Sequence, residues 1–267
     1  MKVVQINKIK VKIFEDGEVV QKLGLTQEEN DIIIKYQKDF PELLQDDLEG
    51  FIISTKLLHR NLEVGRDYST WIKQRINKYN YQENLDYIIK NSIHLNGGIK
   101  KSKGGDKKSK DYYVTLDMAK NLALVENNKN GAMARRYFII MEKALRKYED
   151  WTIIRGNEKD GWNIMKDQIN LWCNRNGYDS TLDIFRIREA NMLNKNLTGY
   201  KASELRIVMG AKDEITRDYL TIEINKALNH LQELNCSLLM SDLDFQFRSN
   251  IIKQTCGVKY PNLFLNK

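Results

Sequence analysis

Proline is nearly missing from this chain, with two in 267 residues. So sparse a use of the residue that breaks helices and punctuates loops favours long helices over a sandwich of short strands. Cysteine is scarce too. Cys173, Cys236 and Cys256 are odd in number and far apart, with no C-x-x-C pair, so neither a disulfide framework nor a zinc knuckle is indicated. His59, His94 and His230 stand apart from one another and from the cysteines, which leaves no local metal-ligand signature and no metal or other cofactor to expect. No run approaches the ~20 apolar residues that span a bilayer. The first residues alternate lysine with apolar side chains instead of forming an unbroken apolar stretch, so a secretory signal is not expected and the protein should be intracellular.

Catalytic signatures are also missing. There is no G-x-S-x-G, no H-E-x-x-H and no phosphate-binding G-x-x-x-x-G-K-[ST], and each of those chemistries needs its residues at that spacing. The adjacent carboxylates Asp213 and Glu214 read as surface charge. A binding protein is expected, not an enzyme; a DNA-acting enzyme would have to work without any such motif.

Positive charge is abundant, but only in the middle of the chain. Residues 1–50 carry 7 Lys/Arg against 11 Asp/Glu, a net of −4; residues 51–150 carry 20 against 11, a net of +9; residues 151–267 carry 16 against 14, a net of +2. The middle third supplies more than the whole excess of +7. A concentrated basic patch predicts a polyanionic partner, most commonly nucleic acid.

The pattern of apolar residues divides the chain into three. Residues 1–50 read as an extension: apolar residues from Val3 to Ile13 and Val19-Val20 flank an Asp16-Gly17 turn, predicting a hairpin, and the capping box Thr26 to Glu29 opens a helix that stops near Pro41. Residues 51–150 read as a small α+β module. A short strand, Phe51-Ile52-Ile53, leads to Ser54 as N-cap of a helix with Leu57, Leu58 and Leu62 on one face. Val64-Gly65-Arg66 is a turn, and Asp67 caps a second helix with Tyr68, Trp71, Ile72, Ile76 and Tyr79 inward. Strands at Leu85–Ile89 and Tyr112–Val114 follow, and between them Asn96 to Lys110 carries six lysines, four glycines and one Asp. Such a segment cannot bury itself. Helix, turn, helix and a basic-tipped hairpin is the order of elements in a winged helix-turn-helix. Thr115 caps a further helix, which breaks at Asn127 to Gly131, and a longer one is expected from Ala132 to Asp150. A domain boundary is placed at Trp151 to Gly156, and residues 151–267 read as an all-α domain with no repeat.

The expected DNA contacts follow from this layout. On the second helix and its turn they are Arg66, Ser69, Thr70, Lys73, Gln74, Arg75 and Lys78, since the second helix of such a motif enters the major groove and Arg and Gln can each form two bonds to one base. In the loop they are Lys100, Lys101, Lys103, Lys107, Lys108 and Lys110, where neutralised phosphates release counterions and isolated surface ion pairs would stabilise little. Trp71 and its tyrosine neighbours sit at helical spacing and read as core. Arg186, Arg188, Asn191, Asn194, Lys195 and Lys201 form a polar strip, read as a helix surface or docking face, with a second DNA contact as the alternative.

Four segments stand out over residues 54 to 147: Leu57-Leu58-His59, Gly65 to Ile72, Thr115 to Lys120 and Arg135-Arg136-Tyr137-Phe138. In their order and spacing they resemble the AntA/AntB antirepressor domain of bacteriophages and prophages. The resemblance implies a protein in the cytoplasm of a bacterial host that antagonises a phage repressor by protein–protein contact and tips the lysis–lysogeny switch toward lytic gene expression, with a basic module making weak or non-specific DNA contact. It implies no catalytic residues. The alternative is a sequence-specific DNA-binding transcription regulator whose C-terminal domain dimerises; the apolar stripe from Met133 to Tyr148 would serve a homo-oligomer as well as an internal core.

Overall fold

A computed structural model describes residues 1–6, 9–44, 50–92, 109–211 and 215–265. Contacts divide the chain into two compact units, one of residues 1–18 and 26–145, the other of residues 19–25 and 146–267.

The first unit opens with strands β1 (Lys2–Ile6) and β2 (Ile9–Ile13), antiparallel with Lys2 opposite Ile13 and Ile6 opposite Ile9. The paired strands therefore both precede Asp16-Gly17, which the sequence suggested as the hairpin turn. A turn is present at Gly17, with φ +76°, but it leads into helix α1 (Glu18–Leu23). Val19 and Leu23, four residues apart and both buried, satisfy a helix as well as a strand, and here the helical reading wins. Helix α2 (Gln27–Tyr36) starts at the expected capping box, with Thr26 accepting from the Glu29 amide and the Glu29 carboxylate accepting from that of Thr26. A 3-10 turn, Pro41–Leu44, follows.

Strand β3 (Ile53–Ser54) then leads directly into helix α3 (Thr55–Asn61), with Ser54 as its cap. Helix α4 (Tyr68–Tyr79) is capped by Asp67 and closed by Asn80 in the left-handed conformation. Strands β4 (Tyr87–Ser92) and β5 (Ser109–Val114) pair antiparallel, and β3 adds to the other edge of β5, giving the order β3-β5-β4. Leu85, expected in the strand, lies before it and is exposed. Side chains on β5 alternate, with Tyr112 and Val114 buried. Helix α5 (Leu116–Val125) is capped by Thr115 and buries Met118, Ala119 and Leu122.

Helix α6 (Lys129–Arg175) replaces two helices expected on either side of residues 151–156. Its residues to Leu145 belong to the first unit and those from Arg146 to the second. Gly156 and Gly161 are tolerated inside it, each at a cost of about 1 kcal/mol relative to alanine, because α6 stays anchored along its length by buried Tyr137, Phe138, Met141, Trp151, Met165, Ile169 and Trp172. Within the first unit Phe138 meets the ring of Phe40 edge-on at 4.8 Å, while Gln37 pairs with both the N–H and the C=O of Phe14.

The second unit is helical, as expected of this region. With α1 from Val19 onward and the end of α6 it includes α7 (Asp183–Thr198), α8 (Ala202–Val208), α9 (Ile222–Met240) and α10 (Phe245–Lys259). Leu193, Leu197, Leu205, Leu228, Leu231, Leu239 and Ile252 form its core. Arg248, fully buried, donates to both oxygens of Glu189 at 2.7 and 2.9 Å and to Asn235 at 2.9 Å. Gly161 matters here: a Cβ there would lie 2.6 Å from Gln232 Oε1 and 2.5 Å from Asn229 Oδ1, so its missing side chain lets α9 approach α6. Among the described residues no helix is long and apolar enough to cross a membrane.

Candidate nucleic-acid interface

Helix α4 has two faces, and their composition follows from what each meets. Trp71 and Ile72 are buried, while Ser69, Thr70, Lys73, Gln74, Asn77 and Lys78 are exposed. Those six recur at the spacing of one helical face. No acidic residue occurs between Tyr68 and Tyr79, so the outward face is cationic without an internal counter-charge.

The turn before α4 is tied down. His59 on α3 donates from Nε2 to the Arg66 carbonyl at 2.8 Å, and its ring lies edge-on to Trp71 at 5.2 Å and to Tyr68 at 5.6 Å. Tyr68 links the helix pair to the sheet: its hydroxyl is 2.8 Å from Thr55 Oγ1, accepts from the Tyr112 amide and approaches Asp111, which also accepts from Ser54 Oγ. Burial pushes the Tyr68 hydroxyl up to about 12. Asn128, between α5 and α6, donates to the Leu62 carbonyl at the end of α3 and accepts from the Gly131 amide.

Several residues named from the sequence are committed to this framework. Ser69 and Thr70 donate their hydroxyls to the Asp67 carboxylate at 2.7 and 3.1 Å, and those bonds, with that from the Thr70 amide, hold Asp67 below the usual carboxylate range. Arg66 donates to the side-chain carbonyl of Gln74. Arg75 is half-buried and donates from Nε and Nη2 to Glu126 Oε1 at 3.0 and 2.7 Å, the same oxygen that accepts from the Trp71 indole. Both expected base readers, Gln74 and Arg75, therefore have partners within the chain. Glu126 escaped the sequence reading because it is 51 residues from Arg75, and nothing local to either residue signals the pairing.

Arg66, Gln74, Arg75, Asn77 and Lys78 line a shallow cleft of about 480 Å³. Lys73 is exposed on the same helix. Lys110 lies on β5 opposite Asn91 and is exposed, and Lys90, on the neighbouring strand, covers the Tyr113 ring at 4.1 Å. Lys100, Lys101, Lys103, Lys107 and Lys108 lie outside the described residues.

Residues 53–128, from β3 to the end of α5 and its following turn, match the family model for AntA/AntB antirepressor. Over this stretch the chain is similar to AntA/AntB antirepressors. The matched stretch begins at β3 and stops just before α6 starts at Lys129, so Arg135-Arg136-Tyr137-Phe138 falls outside it; Tyr137 and Phe138 are buried core in the same unit. Searches of curated proteins and of solved structures found no match for the chain.

The polar strip of the second unit is not a free surface. Arg186 binds Asp183, Asn170 and the Ser180 carbonyl. Arg188 lies over Phe245 at 4.3 Å, Asn191 accepts from the Ala202 amide, and Asn194 is buried. Lys195 and Lys201 remain exposed.

Proposed function

We propose that this protein is a phage or prophage antirepressor that binds a repressor protein, relieves its hold on lytic genes and acts without catalysis. The match of residues 53–128 to the AntA/AntB family carries this reading. In it, the AntA/AntB domain is a winged helix-turn-helix-like module that touches DNA through phosphates, using the outward face of α4, Lys110 and the lysines of the loop before it. Weak, sequence-tolerant contact fits best, because Gln74 is engaged by Arg66 and Arg75 by Glu126, which leaves Lys73 and Lys78 as the forward cations. Ammonium groups neutralise phosphate as point charges and carry little base information.

Two measurements test this. The full chain is co-purified with the repressor encoded beside it; a stable complex that releases operator DNA is expected, and failure of the two to associate overturns the antagonist reading. DNA affinity is then measured across salt concentrations. Each of Lys73→Gln and Lys78→Gln should lower the slope of log affinity against log salt by about 0.9. Strong preference for one sequence, abolished by Arg75→Gln, would instead identify a direct DNA-binding regulator.

A further inference from the structure

The second unit contains a cleft of about 470 Å³ between α6, α7, α8 and the 3-10 turn Thr216–Tyr219. That volume suits a small metabolite-sized molecule. Its base is built on Glu158, which is fully buried and accepts from Arg155, from Arg217 and from the Gln232 amide at 2.6 Å. Asp218 accepts from Arg155 Nε at 2.7 Å and lies 3.7 Å from Lys159. Among the described residues, two carboxylates, Glu158 and Asp218, thus serve three cations, Arg155, Lys159 and Arg217.

Cations concentrated in a partly dry site need anions to match, since a buried charge without compensation is costly. Burial disfavours the charged form of Arg217, neighbouring Arg155 disfavours it further, and Glu158 opposes both. The Arg217 guanidinium lies over the Trp162 ring at 5.2 Å, a favourable cation–ring contact between two residues of the cleft wall. A second observation is independent of charge. Asn194, 3% exposed, lines the same cleft, and its Oδ1 is buried without a hydrogen-bond partner. Buried acceptors are normally satisfied. A water molecule would supply a donor for Asn194 but no negative charge.

We infer that this cleft binds a small organic anion, a phosphate or carboxylate held by Lys159 and Arg217 that also presents an N–H or O–H donor to Asn194. The inference is independent of the DNA and repressor contacts proposed above. Such a site would let a metabolite bias the second unit.

The test is calorimetric titration of the full chain, at constant ionic strength, with AMP, inorganic phosphate and citrate. Saturable binding of at least one is expected, AMP and phosphate against citrate deciding between phosphate and carboxylate. Lys159→Gln, at a side chain about half exposed and so safe for folding, should weaken it about tenfold, the loss of one charge-assisted bond. Asn194→Ala should weaken AMP more than phosphate. Lys195→Gln, outside the cleft lining, should leave binding unchanged. No saturable binding by any of the three, or equal loss in the Lys159 and Lys195 variants, overturns the inference. So does binding of an octaglutamate peptide alone, which would assign the cleft to a protein partner.

Discussion

Replacing Glu126 by glutamine perturbs the one carboxylate that holds both the indole of Trp71 and the guanidinium of Arg75. The substitution keeps shape and an acceptor for the indole, so what is lost is charge. The side chains of Arg75 and Glu126 are 21% and 9% exposed, and hydrogen bonds to charged groups contribute about 1.5–3 kcal/mol. Partial access of water to Arg75 places the expected loss near the lower half of that range, about 2 kcal/mol. Arg75→Met should cost about the same, because it leaves Glu126 without its cation, and the double variant should show a coupling of about 1–2 kcal/mol. The assay is amide hydrogen exchange over Tyr68–Tyr79 in the full chain, where about 2 kcal/mol appears as roughly thirtyfold faster exchange if opening there is local. DNA affinity and its salt slope are measured on the same variants. If Arg75 acts by positioning α4, Glu126→Gln leaves the slope intact while exchange accelerates. Exchange within twofold of the parent in both single variants, or strictly additive effects, would refute the clamp; a lower slope in Arg75→Met at unchanged exchange would make Arg75 a direct phosphate contact.

Other consequences can be measured separately. Gly131→Ala places a Cβ 2.5 Å from the Ala123 carbonyl oxygen, so unfolding in urea should show a loss of about 1–3 kcal/mol, whereas Gly156→Ala meets nothing within 4 Å and should stabilise by about 0.5–1 kcal/mol. Glu189→Gln leaves Arg248 buried without its carboxylate and should destabilise by about 3–5 kcal/mol in chemical denaturation; near-neutral behaviour would mean the site admits water. Tyr68 has its proton held more tightly in the folded chain, with a value of about 12 against 10. Its contribution is therefore complete below about pH 10 and is lost as pH rises toward 12, so denaturation across that window should be flatter in Tyr68→Phe, after correction for the other tyrosines.

How much was legible in advance follows from the range of each interaction. Ser54, Asp67 and Thr115 each accept from an amide three residues ahead, so a cap is visible in a short window. The outward face of α4 was legible for the same reason, because its period is set by the helix itself. Where two local readings were equally good, as at Val19-Val20, the wrong one was preferred. The length of α6 was hidden because Gly156 and Gly161 look like stops unless the apolar residues flanking them are known to be buried. Gln74 and Arg75 look like readers until Arg66 and Glu126 are placed beside them.

The sequence by itself determined where α2, α3, α4 and α5 begin, which faces of α3, α4 and α5 turn inward (apart from Tyr79, expected inside α4 but exposed), the concentration of positive charge in residues 51–150 and the similarity of residues 53–128 to AntA/AntB antirepressors. All of these rest on residue spacing within a few turns of chain or on a contiguous pattern. Tertiary structure alone decided which polar groups remain available. Arg75 against Glu126, Arg248 against Glu189, and Arg155 and Arg217 against Glu158 are pairings of charges in partly dry surroundings. Apart from Arg155 and Glu158, three residues apart on α6, they join residues more than fifty positions apart. A cation's role depends on whether such a partner reaches it before a phosphate does, and that is a matter of distance in space.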